Sequence, residues 1–430
     1  MDELVHILSV LQAFDIEPGP LDRVVARYCR RHRELSSRER RLLSEVAFGV
    51  ARWRRRLDGW LLMQGHARPD NRLRAACYLL WKRPDCAAAI PPREIASGYG
   101  IADSFADAMP RGFPGGAAAF HSFPDFLFDE MVKDHGLSDA ADLAASLNRT
   151  AAPSLRANSL KASRAQAIEA LEAEGIACSP APLSPWGILL PGRKGIEASV
   201  AYRRGLVEIQ DESSQLAVIV ANPKPGERVL DACAGAGGKT LAAAALMENR
   251  GRIVAADTDE RKLGELIKRA KRAGASVVES SPAKKLEARG HGKESFDLVI
   301  VDAPCSGTGT LRRSPDLKWR LAPRDIGERV RLQEELIGSC WEWVRPGGRL
   351  AYMTCSVLSG DNELVIKKFI QGRRAGLADI RQALSRFSLA ADSIVSPEGF
   401  FKTDPRSGER DGFFAAVLMK GQVVGTAGGR

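Results

Sequence analysis

The chain has 430 residues, of which 44% are hydrophobic, so it is long enough for two or three domains and too apolar for a disordered protein. It contains no apolar run of eighteen residues, and its acidic start does not resemble a signal peptide, so we expect a cytoplasmic protein without a membrane segment. Eight irregularly spaced cysteines without a CxxC pair fit reduced thiols better than disulfides or a zinc site, and no metal is expected.

The net charge of +10 is concentrated near the N-terminus. Residues 23–56 hold twelve arginines and three glutamates, a local excess of nine positive charges. A solvated helical face is the common explanation for such a run, but arginine without lysine favours forked contacts with phosphate. The segment therefore predicts an anionic polymer as partner, bound through the cluster Arg52, Arg54, Arg55 and Arg56.

Residues 1 to about 100 are predicted to be wholly helical, because apolar residues recur at helical spacing. Ser36 and Ser37, followed by Glu39, indicate the start of a helix after the basic run. The glycine-, alanine- and proline-rich stretch from Gly98 to Phe123 is typical of a connection, and a second helical piece is expected at about 124–147.

A small α+β insert is predicted before residue 211, because strand-like and helix-like segments mix there. From Asp211 onward strands and helices alternate with short loops, which indicates an α/β fold with a doubly wound parallel sheet. The predicted regions are a helical domain, connecting helices with a small α+β subdomain, a catalytic domain and a disordered tail, at 1–122, 123–210, 211–420 and 421–430.

A glycine turn follows the predicted strand that ends at Asp231. It reads Cys233-Ala234-Gly235-Ala236-Gly237-Gly238-Lys239. A phosphate-binding P-loop would need glycine at Cys233, and a dinucleotide fingerprint would need glycine at Thr240, so neither matches. An acidic strand end, a glycine turn and a helix start suit S-adenosyl-L-methionine. Asp257 ends the next predicted strand, where its carboxylate can accept hydrogen bonds from both ribose hydroxyls.

Two cysteines each follow a predicted strand, Cys305 in VDAPCSGTG and Cys355 in YMTCS. Ligands of an open α/β sheet bind at the carboxyl ends of its strands, so we expect both thiols to lie near the glycine turn. A positive charge such as that of Lys239 favours the thiolate, the nucleophilic form of cysteine.

Methylation of carbon 5 of a pyrimidine in RNA requires such a set of groups. Carbon 5 becomes nucleophilic only after a thiolate has added to carbon 6, and the sulfur must later be expelled. One cysteine can attack, Asp302 can hold the ring nitrogen, and a second polar group can assist release from a base that has left its stack. An amino-group methyltransferase would carry an aromatic residue at Cys305, which argues against that class.

These motifs resemble the NOL1/NOP2/Sun family of RNA cytosine-5 methyltransferases, in its bacterial Sun/Fmu (RsmB-like) branch. The matching stretches lie between Leu155 and Lys420; they are 207–214 (VEIQDESS), the glycine turn, 302–319 (DAPCSGTGTLRRSPDLKW), 354–358 and 411–414. The resemblance implies a Rossmann-like methyltransferase sheet and an N-terminal NusB-like RNA-binding domain. The protein is expected to be a monomer.

The resemblance also implies roles for residues. Cys355 matches the nucleophile of the family and Cys305 the cysteine that aids product release, while the cofactor contacts map onto 233–239, Asp257 and Asp302. One departure concerns the residue that approaches the adenine, which is acidic in the family. This chain has no aspartate at the expected place after its third predicted strand, so either Glu279 substitutes for it or the contact is missing.

The leading hypothesis is a cytosine-5 methyltransferase of small-subunit ribosomal RNA that uses S-adenosyl-L-methionine and a covalent cysteine–cytosine intermediate. The alternatives are transfer RNA as substrate, or a non-catalytic RNA-binding assembly factor on the same fold. Retention of both cysteines, Asp302 and Lys239 disfavours the assembly factor.

Overall fold

The structure is a computed structural model that describes residues 2–17, 19–82, 92–192, 195–371, 373 and 375–421. The predicted tail lies outside these residues except for Gly421. The chain divides into two compact units, Met1–Thr150 with Thr310–Pro323, and Ala151–Gly309 with Arg324–Arg430. The domain boundaries proposed from the sequence stay predictions.

The first unit is helical. Its helices are α1 (Asp2–Ile16), α2 (Leu21–Arg31), α3 (Ser37–Met63), α4 (Asn71–Lys82), α5 (Pro92–Gly98), α6 (Gly116–Phe120), α7 (Asp125–His135), α8 (Leu137–Leu147) and Leu317–Arg320, which is α14 in chain order. The predicted helix start is confirmed, because Ser36 caps α3 and forms a capping box with Glu39. The stretch 98–123 is not a loose connection, since Phe113 and Phe120 are buried in the helical core.

The second unit begins with a four-stranded antiparallel sheet in the order β2-β3-β1-β4. Its strands are β1 (Ser154–Ala157), β2 (Ser179–Pro180), β3 (Gly187–Leu189) and β4 (Val207–Ile209), and its helices are α9 (Arg164–Ala173) and α10 (Val200–Arg203). Leu155 and Ile188 of the sheet pack against Leu171 of α9, so this small α+β layer has a core of its own.

An eight-stranded mixed sheet forms the rest of the second unit, in the order β10-β12-β9-β8-β5-β6-β7, with β11 paired to β12. The strands are β5 (Arg228–Asp231), β6 (Arg252–Asp257), β7 (Val278–Pro282), β8 (Phe296–Asp302), β9 (Val344–Thr354), β10 (Ala375–Leu377), β11 (Phe401–Thr403) and β12 (Phe413–Lys420). The helices are α11 (Glu212–Ala221), α12 (Gly238–Leu246), α13 (Glu260–Ala273), α15 (Pro323–Trp341), α16 (Glu363–Ile370) and α17 (Arg381–Ser385).

The α/β fold predicted from the sequence is confirmed, but the sheet is not wholly parallel. Strands β5 to β9 pair in parallel, whereas β12 runs antiparallel to β9, β10 and β11. The short connection from β11 to β12 accounts for the antiparallel pairing of those two strands, since a parallel pair needs a long crossover.

The parallel strands are buried on both faces and end at one edge. Leu298 and Ile300 of β8 belong to one apolar cluster, and Val299 and Val301 belong to another. The pairing of Asp302 with Met353 brings the carboxyl ends of β8 and β9 together. This edge is therefore where the predicted site residues are brought close.

Among the residues that the structure describes, no helix is long and apolar enough to cross a membrane. The same residues contain no group of three or more metal-binding side chains.

Candidate active site

The two predicted cysteines lie side by side just beyond the ends of β8 and β9. Their sulfur atoms are 3.6 Å apart, and both thiols are free. Cys305 is buried, and Cys355 is partly exposed. The contact with Cys355 and burial together hold the pKa of the Cys305 thiol well above its usual range. Cys305 is thus kept protonated beside the partly exposed Cys355.

The cysteine loops approach so closely that one position accepts only glycine. The Gly309 N–H donates to the Cys355 carbonyl over 2.9 Å, and the Gly412 N–H donates to the Gly309 carbonyl over 3.0 Å. A Cβ atom on Gly309 would lie 2.0 Å from the Gly412 carbonyl oxygen. This contact explains why two distant motifs, GTG and DGFF, carry glycine where they do.

Lys239 and Asp302 form an ion pair at the same edge. The Lys239 Nζ atom lies 2.7 Å from the Asp302 Oδ2 atom, and the Lys239 side chain is largely buried. Burial alone would lower the pKa of Lys239, but the Asp302 charge and hydrogen bond override it, so the pKa is raised. Electrostatic interaction with Cys355 acts in the same direction. These interactions favour the positively charged form of Lys239 near Cys355.

The glycine turn joins β5 to α12, as predicted. Gly235 and Gly237 have φ values of +52° and +89°, and a Cβ atom on Gly237 would lie 2.7 Å from the Leu266 Cγ atom. A Cβ atom on Gly235 would meet no atom within 4 Å, so the space beside the turn is open. Ala234 and the Cys233 side chain stay close to the sheet, where burial raises the pKa of the Cys233 thiol.

Asp257 connects the turn with the end of β6. Its Oδ2 atom accepts the Gly235 N–H over 2.8 Å, and its Oδ1 atom accepts the Asp259 N–H over 2.8 Å. Each carboxylate oxygen can accept a further hydrogen bond. The acceptor oxygens of Asp257 and the open space thus fit a ribose next to the turn, with Ala236 and Gly238 on the same loop.

Glu279 does not lie at this edge, so the suggestion that it replaces an adenine contact is wrong. It pairs with Val254, whereas Asp257 at the end of β6 pairs with Pro282, about 10 Å further along the strand. Its carboxylate lies 2.7 Å from Arg252, the first residue of β6. Glu279 belongs to the opposite half of the strand pair.

Arg269 and Glu208 hold the glycine turn in place, a role that was not predicted from the sequence. Arg269 donates to the Ala236 carbonyl over 2.8 Å and pairs with Glu208 over 2.9 Å. The Glu208 side chain is only 1% exposed and also binds Arg272. The stretch VEIQDESS, which contains Glu208, was the available signal.

The second half of the long cysteine motif belongs to the helical unit. Lys318 is fully buried there, and its Nζ atom donates to the carbonyls of Arg52 and Ser122 and to the Asn148 side chain over 2.7–2.9 Å. The Trp319 indole donates to the Ala51 carbonyl. These residues of the motif anchor a helical core.

The cluster expected to bind an anionic polymer makes most of its contacts within the helical unit; it consists of Arg52, Arg54, Arg55 and Arg56. Arg52 is buried and donates to the Arg312 carbonyl over 2.9 Å, while Arg56 is buried between aromatic rings, 4.8 Å from Trp60 and 3.9 Å from Phe120. The other two arginines are held by carboxylates, Arg54 by Asp15 and Arg55 by Asp125. The expectation is wrong for Arg52 and Arg56, because they face inward.

Helix α2 instead carries positive charge that is exposed. Arg23, Arg27, Arg30 and Arg31 are exposed at helical spacing on one face, which we call the α2 face. Arg27 pairs with Glu17, but in the described part of the chain the other three form no ion pair. A surface hollow of about 450 Å³ is lined by Arg23, Arg27 and Arg30.

Comparison with known proteins gives concordant matches. The family described as 16S rRNA methyltransferase RsmB/F matches residues 218–419, and a ferredoxin-like domain of RsmF/B-like methyltransferases matches residues 123–197. The chain is 32% identical to a probable ribosomal RNA small subunit methyltransferase B from Bacillus subtilis, over 90% of this chain and 92% of the relative. It is 30% identical to the ribosomal RNA small subunit methyltransferase B of Escherichia coli O6:K15:H31, with the same coverage. The solved structure of PH0851 superposes with a TM-score of 0.75 at 28% identity, over 97% of this chain and 98% of that one.

Proposed function

Because this chain belongs to the 16S rRNA methyltransferase RsmB/F family, we propose that it methylates carbon 5 of a cytosine in small-subunit ribosomal RNA. The observation that carries the choice of carbon 5 is the pair of sulfur atoms 3.6 Å apart at the carboxyl edge of the sheet. Methyl transfer to a nitrogen or an oxygen needs no sulfur nucleophile, whereas carbon 5 must be activated by one.

The first chemical step is attack by Cys355. It is the partly exposed member of the pair, and the thiolate form adds to carbon 6 of a flipped-out cytosine, so that a sulfur–carbon bond forms. The electron pair of the 5,6 double bond then becomes available at carbon 5. Lys239 supplies positive charge beside this reaction, and Asp302 is positioned by Lys239 to bind the polar edge of the ring.

Release reverses the attack. Carbon 5 loses its proton to water, and the electron pair of that carbon–hydrogen bond re-forms the 5,6 double bond. The sulfur–carbon bond breaks, and its electron pair leaves on the Cys355 thiolate. Cys305 contacts the departing sulfur and is kept protonated by burial and by the Cys355 contact, which raise its pKa. We assign Cys305 to this release step.

The cofactor site is the turn from Cys233 to Lys239 together with Asp257 and Asp302. S-adenosyl-L-methionine supplies the methyl group on a positively charged sulfur. The N-terminus of α12 and the open side of Gly235 accommodate its polar end. Asp257 retains acceptor capacity for the ribose hydroxyls after binding Gly235 and Asp259.

The α2 face holds the RNA backbone in this proposal. Three arginines of this face, Arg23, Arg30 and Arg31, are exposed and form no ion pair within the described residues. Such a face suits a polyanion, since each guanidinium can bind a phosphate in a forked way. Such contacts position the RNA but do not recognise its base sequence.

The test is a methylation assay with a 16S rRNA transcript and S-adenosyl-L-methionine labelled on its methyl group. Nucleoside analysis should recover the label as 5-methylcytidine, and Cys355→Ala should transfer none. A transfer RNA transcript serves as the matched control. Label in any other nucleoside would reject carbon 5, and preferential methylation of transfer RNA would reject the ribosomal substrate.

A further inference from the structure

A buried carboxylate lies beneath both cysteine loops, in the 3₁₀ helix Ser359–Asp361. The Asp361 side chain has no exposed surface. Its Oδ2 atom accepts the Ser306 hydroxyl over 2.5 Å and the Ser306 N–H over 3.2 Å. Its Oδ1 atom accepts the Gln333 side-chain amide over 2.7 Å. One carboxylate therefore fixes the residue that follows Cys305.

A chain of hydroxyl groups extends this contact to the second loop. The Ser306 hydroxyl lies 3.0 Å from that of Ser356, and the Ser356 hydroxyl lies 3.0 Å from that of Thr308. The Thr308 hydroxyl in turn accepts the Val357 N–H over 3.1 Å. Each reactive cysteine is thus followed by a serine that joins one buried network.

The network explains why an acid, rather than an amide, occupies this position. In the described residues Asp361 has no salt-bridge partner, so its charge is compensated by hydrogen bonds alone, which is a costly arrangement for a buried group. An ionised carboxylate only accepts, and it has room for all three donors at once. An asparagine must turn its NH2 group toward either Ser306 or Gln333, and one of those donors then loses its acceptor.

We propose that Asp361 is a positioning residue that holds Cys305 against Cys355 and thereby favours release over persistence of the covalent intermediate. The inference rests on the proposed function. Asp361 touches neither sulfur through a hydrogen bond; it acts through Ser306 and Ser356. When the network loosens, Cys355 can still form its bond to carbon 6, but the Cys305 sulfur is displaced from the departing thiolate.

The experiment compares Asp361→Asn with wild type on the 16S rRNA transcript. We expect kcat to fall about tenfold, the factor that corresponds to ~1.4 kcal/mol. KM for RNA should fall with it, so that kcat/KM is nearly kept, because the slowed step follows formation of the covalent intermediate. Covalent protein–RNA adduct should accumulate on a denaturing gel. Ser306→Ala removes the relaying hydroxyl and keeps the N–H bond to Asp361. It should therefore lower kcat and increase the adduct by less than Asp361→Asn does.

Glu212→Gln is the matched control. Glu212 is also a buried carboxylate of this unit, and it accepts the N–H groups of Leu183 and Ser184 over 2.7 and 2.8 Å. It should lower the melting temperature without accumulating adduct. If Asp361→Asn and Ser306→Ala lose methylation and adduct in equal proportion, or lose neither, the positioning role is refuted.

A measurement without RNA separates this inference from the proposed function. Diamide takes two electrons from the two thiols, each sulfur loses its proton, and a disulfide forms as diamide is reduced to the hydrazine. Closure between Cys305 and Cys355 should be fast in wild type and about tenfold slower in Asp361→Asn. Equal rates would overturn the positioning role whatever the substrate is. If instead Cys305→Ala forms no adduct on RNA, the covalent route itself fails.

Discussion

The number of exposed arginines on the α2 face determines how much the salt dependence of RNA binding should change when they are removed. Replacing Arg23, Arg30 and Arg31 with alanine removes three exposed guanidiniums that form no ion pair in the described part of the chain. If each binds one phosphate, the slope of log K against log salt falls by about 0.7 per contact for single-stranded RNA, and by about 0.9 with the duplex value measured on DNA. The total reduction is therefore about 2 to 3.

The proposed assay is filter binding of a 16S rRNA transcript at salt concentrations between 50 and 200 mM. Over that fourfold range, the wild-type affinity should fall about 20- to 40-fold more than that of the triple variant. Cofactor affinity should not change, because α2 lies in a different unit from the glycine turn.

A charge-matched control distinguishes a binding surface from general attraction. Lys224, Arg250 and Arg381 are exposed near the amino ends of the strands, at the edge opposite the cysteines. Their triple alanine variant should keep nearly the full salt slope. If both triple variants lose the same slope, or if the α2 variant loses none, the α2 face is only a solvated surface.

Three further predictions concern single residues. Asp257→Ala should weaken S-adenosylhomocysteine binding by roughly 10- to 150-fold in calorimetry, the equivalent of a lost charged hydrogen bond, and an unchanged dissociation constant would remove Asp257 from the site. Lys318→Ala should destabilise the helical unit by about 2–5 kcal/mol in urea unfolding, because three buried acceptors lose their donor; a loss below about 0.5 kcal/mol would contradict the anchoring role. Burial raises the pKa of Asp231 to about 7, so between about pH 4 and about pH 7 the folded state keeps a proton that the unfolded state has released. The contribution of this residue to stability therefore falls as pH rises through that interval and is lowest above about pH 7. Asp231→Asn, which can still accept the Thr240 hydroxyl, should therefore gain stability relative to wild type over that interval, and parallel pH curves would refute the assignment.

Local patterns were sufficient to predict the parts of the site that lie at strand ends. Cys305, Cys355 and Asp257 each follow or end an apolar run, and parallel strands carry such residues to one edge. The start of α3 was likewise predictable, because Ser36 and Glu39 have capping-box spacing.

Which arginines face solvent could not be read from charge alone. Arg56 lies three residues after Trp53 and four before Trp60, so helical spacing places it on the aromatic face. The sequence alone could therefore have indicated that Arg56 faces inward. Arg52 is different, because its acceptor Arg312 is distant in sequence and belongs to a segment that only folding brings near. Asp361 was missed for the same reason, since its partners Ser306 and Gln333 lie on separate elements.

The central claim is the division of labour between the two thiols, and it is tested most directly by covalent trapping. Wild type, Cys355→Ala and Cys305→Ala are each incubated with the 16S rRNA transcript and S-adenosyl-L-methionine, then resolved on a denaturing gel with and without ribonuclease. Attack precedes release, so Cys305→Ala should give a shifted band that ribonuclease removes, and Cys355→Ala should give no band and no methylation. An adduct formed only by Cys355→Ala would reverse the assignment, and similar modest losses of stability without any adduct would mean that both cysteines are structural.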